Sequence, residues 1–390
     1  MASILTKQKS IVIFLVIMLI STTTASIWVS IWHTQNKHRF RGEIVISNDS
    51  DFERKFHLPG SGTKSDPYRI EFLQIITTRD FGIKIRDTTS YFVIRNCSIR
   101  ARNTAIHLTD VGYSTALISN NTVAGITGIL AINCYEVLID NNVCEHAIYG
   151  IALMSCLNST IMNNYCLNLT YGIYLEGNSS NCIVSNNHLE SNKEAGLLYN
   201  YWDQIAFDVS FSYNVLISNN TCINNKVGLD IAVILAIPLV ALPTFILVSN
   251  NCSLNEDIGI AIRGYYVQAI NNYCGFNGDV GITGWQLKNS TLTNNHLQNN
   301  TSFGIALSHT SGCNIYHNNF FENNIDGPIL MNAQAFDDST IEIVYGQNVW
   351  YNSISSEGNH WSDLVWAPGI TYDISGSNNA DFFPLEFPYG

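Results

Sequence analysis

Gly128 to Tyr149 reads GILAINCYEVLIDNNVCEHAIY, Gly150 to Tyr171 reads GIALMSCLNSTIMNNYCLNLTY, and Gly172 to Ala195 reads GIYLEGNSSNCIVSNNHLESNKEA. The three superimpose with a period of 22 residues between their leading glycines. Each unit has one grammar: a Gly, a strand of alternating apolar residues, a turn, a second apolar strand and an Asn pair. A fixed period of this length marks a solenoid, in which each unit leaves an apolar face for its neighbours to bury. The alternation sends Ile151 and Leu153, and Ile173 and Leu175, to the same inner face.

The grammar recurs at Gly82, Gly196, Gly228, Gly259, Gly281 and Gly304, and a coil near Thr104 lacks the leading Gly. Asn doublets run in phase with it, from Asn120 and Asn121 to Asn318 and Asn319, with the single Asn96 holding the place earlier. Stacked Asn side chains can pair their amides from coil to coil and so satisfy buried polar groups. The spacing predicts an all-β fold, a right-handed parallel β-helix of about ten coils. A leucine-rich repeat would need its own leucine pattern and a helical turn in each unit, and neither is present.

The organisation expected is an N-terminal flank, membrane segment and linker over 1–42, an N-terminal cap over 43–81, coils over 82–336 and a C-terminal cap over 337–390. Lys7 and Lys9 precede the apolar run Ile11 to Ile20, and a second run reaches Trp32. This reads as a signal-anchor with the solenoid outside the cytoplasm; a cleaved signal ending near Ala25, with secretion, is the alternative. The uncharged run Ile231 to Val248 touches the length of a membrane span, yet Pro238 and Pro243 interrupt it and Asn250 resumes the register. An apolar bulged coil is expected there, with contact to a membrane or partner surface as the alternative.

Charged residues are only 13% of the chain, and 19 basic against 31 acidic residues give a net charge of -12. That balance repels a phosphate backbone, so nucleic acid is excluded as a partner. No cofactor motif or metal set is present. Cys134 and Cys156, and Cys144 and Cys166, stand one period apart, which predicts stacked core thiols, with vertical disulfides as the alternative. His188 and His296 take the place after an Asn doublet that Tyr165, Tyr273 and Phe320 fill elsewhere, and read as structural; His309 and His317 have no evident partner. Asn48, Asn158, Asn168, Asn178 and Asn289 lie in glycosylation triplets, whereas Asn120 and Asn219 are assigned to the ladder and so to poor acceptors.

At its two ends the sequence resembles a known family. GSGTKSDPYRIEFLQI (Gly60 to Ile75), GNHWSDL (Gly358 to Leu364) and SGSNNADFFPL (Ser375 to Leu385) are similar to the opening and closing segments of NosD-like β-helix proteins. The repeats between them resemble the carbohydrate-binding and sugar-hydrolase (CASH) coils. The resemblance implies the fold, a cell-surface or periplasm-like setting and, for the namesake, a role in maturing a copper enzyme. It carries no catalytic motif, and this chain lacks a copper-binding segment rich in Met, His and Cys.

Counting two and four residues from each Gly places Tyr174 and Glu176, Leu198 and Asn200, Asp230, Arg263, and Thr283 and Trp285 on one outward face. Tyr199, Tyr201, Trp202, Tyr265 and Tyr266 fall at or beyond its edge. Aromatic rings among polar groups suit stacking against sugars, and a long face suits a long glycan. The expected ligand-binding residues are therefore Tyr174, Tyr201, Trp202, Tyr265 and Trp285. Glu176, Asp203, Asp208, Asp230 and Arg263 are the catalytic candidates. Glu176 and Asp230 are too far apart for a glycosidase pair, about 10 Å along the axis and about 7 Å across. The reading favours a surface protein that binds a glycan or polymer. Its alternatives are a polysaccharide hydrolase or lyase, and a structural, adhesive or metalloenzyme-accessory protein.

Overall fold

The computed structural model describes residues 38–112, 115–177, 179–203, 214–235, 244–324, 333–339, 346–376 and 379–390. The coils run through three parallel sheets, named A, B and C here in the order the chain visits them; among the described residues the coil of Val227–Leu235 and Thr244–Val248 meets sheet A only through bridges at Asn251. Among the described residues sheet B has 12 strands and sheet C has 11; sheet A is split into runs of 8 and 4. The chain is thus a β-solenoid of about ten turns. The stack begins before Gly82, with strands His38–Phe40 in A, Ile44–Ile46 in B and Tyr68–Glu71 in C.

Alternation in sheet B builds the core. Ile106, Ile129, Ile151, Ile173, Leu197, Leu229, Ile260 and Ile282 pair in register along the axis, and each is fully buried. The leading glycines stack just before this row. A Cβ on Gly172 would fall against the carbonyl oxygen of Gly196, and the same relation repeats from Gly128 through Gly281, always within 2.7 Å. Only Gly allows the backbones of successive coils to meet so closely.

The Asn doublets divide their work at the turn from C to A. The first Asn takes a left-handed backbone, with φ of 54° at Asn120, Asn141, Asn219 and Asn271, a conformation Asn tolerates better than other side-chain-bearing residues. The second is buried and forms the ladder Asn121, Asn142, Asn164, Asn187 and Asn220, which continues to Asn359. Asn120 and Asn219 are therefore not ladder members but exposed turn residues, which corrects the sequence assignment. At two coils the phase shifts by one: Ser249 and His317 take the left-handed position, and Asn250 and Asn318 join the ladder. Phe320 consequently pairs with Leu297 in the core, and Asn319 occupies the place of His296. Asn178 lies outside the described residues.

A second ladder, Asn192, Asn225, Asn255, Asn277, Asn300 and Asn323, ends on Gln334 at the turn from A to B. All ten cysteines are buried. Cys144 and Cys166 lie side by side in register in sheet A, while the thiols of Cys134, Cys156 and Cys182 donate to backbone carbonyls.

Both ends are capped. Helix α1, Ser50–Arg54, buries Phe52 against Tyr68 (4.7 Å between centroids) and Phe92 (5.7 Å) over the first coil. At the other end Phe320, Trp361 and Tyr372 stack at 4.1 and 3.9 Å. The buried Asp381 carboxylate accepts from the Trp361 indole at 3.0 Å and the Asn359 amide at 2.7 Å. Asn359 thus ends the ladder on a carboxylate, and any Cβ on Gly358 would strike Asp381.

His309 and His317 do have partners, both supplied by this cap. The His309 amide donates to Asp338 at 2.9 Å. The His317 ring bonds Glu357 at 2.9 Å and stacks on Tyr389 at 3.7 Å. The two described ends of the apolar run Ile231 to Val248 belong to strands Val227–Leu235 of sheet B and Thr244–Val248 of sheet C. Among the described residues no helix is long and apolar enough to cross a membrane.

Candidate functional site

The outward face of sheet B carries two rows. In the first, Lys84, His107, Leu130, Ala152, Tyr174, Leu198, Asp230, Ala261 and Thr283 are in register. In the second, Glu176, Asn200, Ala232, Arg263 and Trp285 follow one another. Strict period-two alternation over a buried inner face fixes both rows, since a one-residue slip would turn the core outward.

Tyr174 is the centre of an aromatic cluster. Tyr149 and Tyr171 stand in register on adjacent coils and stack at 5.4 Å with planes 10° apart. Tyr174 packs on both, at 5.1 Å from Tyr149 and 6.2 Å from Tyr171. Tyr149 and Tyr171 were not among the expected residues. Their signal was the Tyr that directly precedes Gly150 and Gly172, which a count running forward from each Gly leaves out.

Electrostatics set how these groups behave. Burial, and then the neighbouring Glu176 charge, push the Tyr174 phenol well above its usual range, and the phenol hydrogen-bonds Glu176. Burial likewise raises Tyr171, with Glu194 and Asp230 adding to the shift. Both phenols stay neutral near pH 7 and serve as donors rather than bases. Burial also raises the Asp230 carboxyl, against the pull of Arg263. Arg263 is exposed and lies over the Trp285 ring, 5.2 Å from its centroid, while Trp285 itself is 42% exposed.

The remaining expected residues divide. Tyr201, Trp202 and Asp203 fall at the end of strand Ala195–Asp203, opposite Val233, Ile234 and Leu235, and their side chains lie outside the described residues, as does Asp208. Tyr265 follows a break in register after Arg263, pairs with Lys288 instead of continuing the row, and contacts Tyr266 at 6.4 Å. Tyr199 is not at the edge of the strip: it points inward, fully buried, edge-on to Phe245 at 5.0 Å. Glu176 and Asp230 occupy different rows two coils apart, about 12 Å between backbones by strand geometry. A separate cleft of about 500 Å³ lies at the turn from B to C in the first coils, lined by Asp87, Tyr91, Asp110 and Tyr135.

The fold and this face define a right-handed solenoid with a long, partly aromatic outer strip. Residues 104–233 and 244–378 match the family model for the right-handed β-helix region, and the chain belongs to that family. No curated protein matches the chain. Among solved structures it is similar to the A-module of the Azotobacter vinelandii mannuronan C-5 epimerase AlgE6, at 12% identity and a TM-score of 0.54 over 75% of this chain and 83% of that one. It is also similar to the Dettilon tailspike protein gp208, at 15% identity and a TM-score of 0.54 over 73% of this chain and 60% of that one. At these identities the likeness is one of fold.

Proposed function

We propose that this chain is a cell-surface β-helix protein that binds a glycan or similar elongated polymer along the outer face of sheet B. Its N-terminal segment would hold it to a membrane, with the solenoid outside the cytoplasm. The observation that carries the reading is the cluster of Tyr149, Tyr171 and Tyr174, with the Arg263 and Trp285 pair on the neighbouring row of the same face, three and four coils beyond Tyr174. Neutral phenols, a carboxylate and a guanidinium among partly exposed aromatic rings offer both stacking and hydrogen bonds to sugar hydroxyls. The mannuronan epimerase module, which shares the fold, is named for a polysaccharide substrate, in keeping with this use of the scaffold.

A binder is favoured over a glycosidase because Glu176 and Asp230 stand in different rows two coils apart, with backbones about 12 Å from one another, rather than facing each other across one site. The second reading, a polysaccharide hydrolase or lyase, draws on the half-buried Asp230 beside Arg263 on the same face. The NosD-like subtype is also a proposal; it is supported by the roles that Gly358, Asn359 and Trp361 take in closing the solenoid.

The test is a glycan array on the full chain, with product analysis of each hit. Tyr174→Ala with Trp285→Ala is expected to weaken the hit at least about tenfold, since each aromatic contributes on the order of 1 kcal/mol. Glu176→Gln and Asp230→Asn are expected to leave binding near normal, with no product formed from any hit by the parent or either variant. Turnover of the hit that either carboxyl change abolishes would replace the binder with the enzyme.

A further inference from the structure

The charge of this chain is not spread along it. Residues 38–112 hold 12 basic and 9 acidic side chains, while residues 113–390 hold 4 basic and 22 acidic. Because the coils stack in order, this sequence asymmetry becomes an axial one: a basic first end and an acidic body. Pairing sharpens it. At the first end Arg39, Arg41, Arg54, Lys55 and Lys64 are all exposed, and among the described residues none forms an ion pair.

Two acids of the same end are countered by other cations, and two more are held by uncharged donors. Glu43 meets Arg79 at 3.3 Å, and Asp66 meets Arg69 at 2.8 Å. Asp49 accepts from Thr88, Thr89 and Ser90, and Asp51 accepts from the Ser47 amide. Against the five free cations stand three acids without a cationic partner among the described residues, Asp49, Asp51 and Glu53. The Lys55 ammonium donates to the Val45 carbonyl at 2.8 Å and lies 5.2 Å from the Phe56 ring centroid, which fixes it at this surface.

We infer that this end of the solenoid is a docking surface for anionic lipid headgroups. The argument rests on the membrane reading of the N-terminal apolar segment and is independent of the glycan strip. That segment ends at Trp32, and the first strand begins at His38. A linker of this length spans at most about 20 Å, so a segment seated in a bilayer would hold Arg39 and Arg41 at the headgroups and keep the first coil close by. Anionic lipid attracts clustered Lys and Arg within a Debye length and repels the acidic coils beyond them. The two effects together stand the solenoid on its basic end and direct sheet B away from the bilayer plane.

The test uses the full chain in nanodiscs of phosphatidylcholine alone or with a third phosphatidylglycerol, and amine acetylation read residue by residue. In anionic discs at low salt, Lys55 and Lys64 should be modified at least about threefold more slowly than in neutral discs. Lys193 and Lys226, on later coils, should not change. High salt should erase the difference, as should Arg39→Gln, Arg41→Gln and Arg54→Gln together, which keep both reporter lysines. Equal rates in the two discs would overturn this inference alone. Failure of the chain to join either disc would overturn the membrane reading with it. Protection by free polyphosphate but not by anionic discs would assign the surface to a soluble polyanion and overturn the lipid proposal.

Discussion

Asn164 closes three coils with one amide. It is fully buried, its nitrogen donates to the Ile139 and Met162 carbonyls and to Asn187, and its oxygen accepts from the backbone and side chain of Asn142. Asn164→Leu removes these bonds while leaving the partners buried, and should cost about 1 to 3 kcal/mol in a denaturant melt; an unchanged midpoint would contradict the ladder. Asp381 makes a prediction with the opposite habit to most carboxylates. Burial raises it from 3.8 to about 6, even though backbone and indole donors oppose the rise. Since its folded value lies above its unfolded one, its contribution to stability is greatest below about pH 4 and is lost as pH rises through about 6. The loss is on the order of 3 kcal/mol. Stability measured from pH 4 to 8 should show this fall in the parent and lack it in Asp381→Asn. The doublets were legible as a period, but which Asn turns inward was not, because Ser249 and His317 shift the phase without altering the run of Asn letters. Tyr174 was found by counting, whereas its companions Tyr149 and Tyr171 needed the register across Gly150 and Gly172.

Among the elements, sheet B was the most legible, since alternation with a leading Gly fixes both its inner row and its outer one. Ile173→Ala at a fully buried position should cost about 2 to 5 kcal/mol in the same melt; a smaller loss would mean that the coil collapses around the gap. The stacked thiols carry a related expectation. Burial is the leading cause that lifts Cys182 to about 11 and Cys313 to about 12, and it raises Cys222 and Cys252 as well. Since all ten cysteines are buried, Cys134 included although its hydrogen bonds lower it, iodoacetamide at pH 8 should label the native chain hardly at all and the denatured chain fully. Rapid native labelling would mean that the coils open locally. The second Asn ladder was visible as an Asn five residues after the first from Asn187 onward, yet Ala147 and Leu169 hold the corresponding places in earlier coils and mask the pattern. The partners of His317 could not be read at all, because Glu357 and Tyr389 return to it only through the cap.

At the scale of the whole molecule the solenoid separates stability from recognition. Its inner rows and ladders hold the coils together, so the outer face of sheet B can carry aromatics and charges at little cost to the fold. This is why the fold followed from a 22-residue period while the site did not: outward positions obey no packing rule that sequence alone exposes. The axial charge asymmetry was present in the sequence, but it gains meaning only once the coils are stacked and their ion pairs assigned. The central claim is that an elongated ligand lies along sheet B. Hydroxyl-radical footprinting of the full chain, with and without the strongest hit from the glycan array, tests it most directly. The account predicts that Tyr149, Tyr171, Tyr174 and Trp285 become protected together, while Tyr165 and Tyr273 on sheet A keep their reactivity. Protection confined to sheet A, or none at the three tyrosines while ligand is bound, would contradict it.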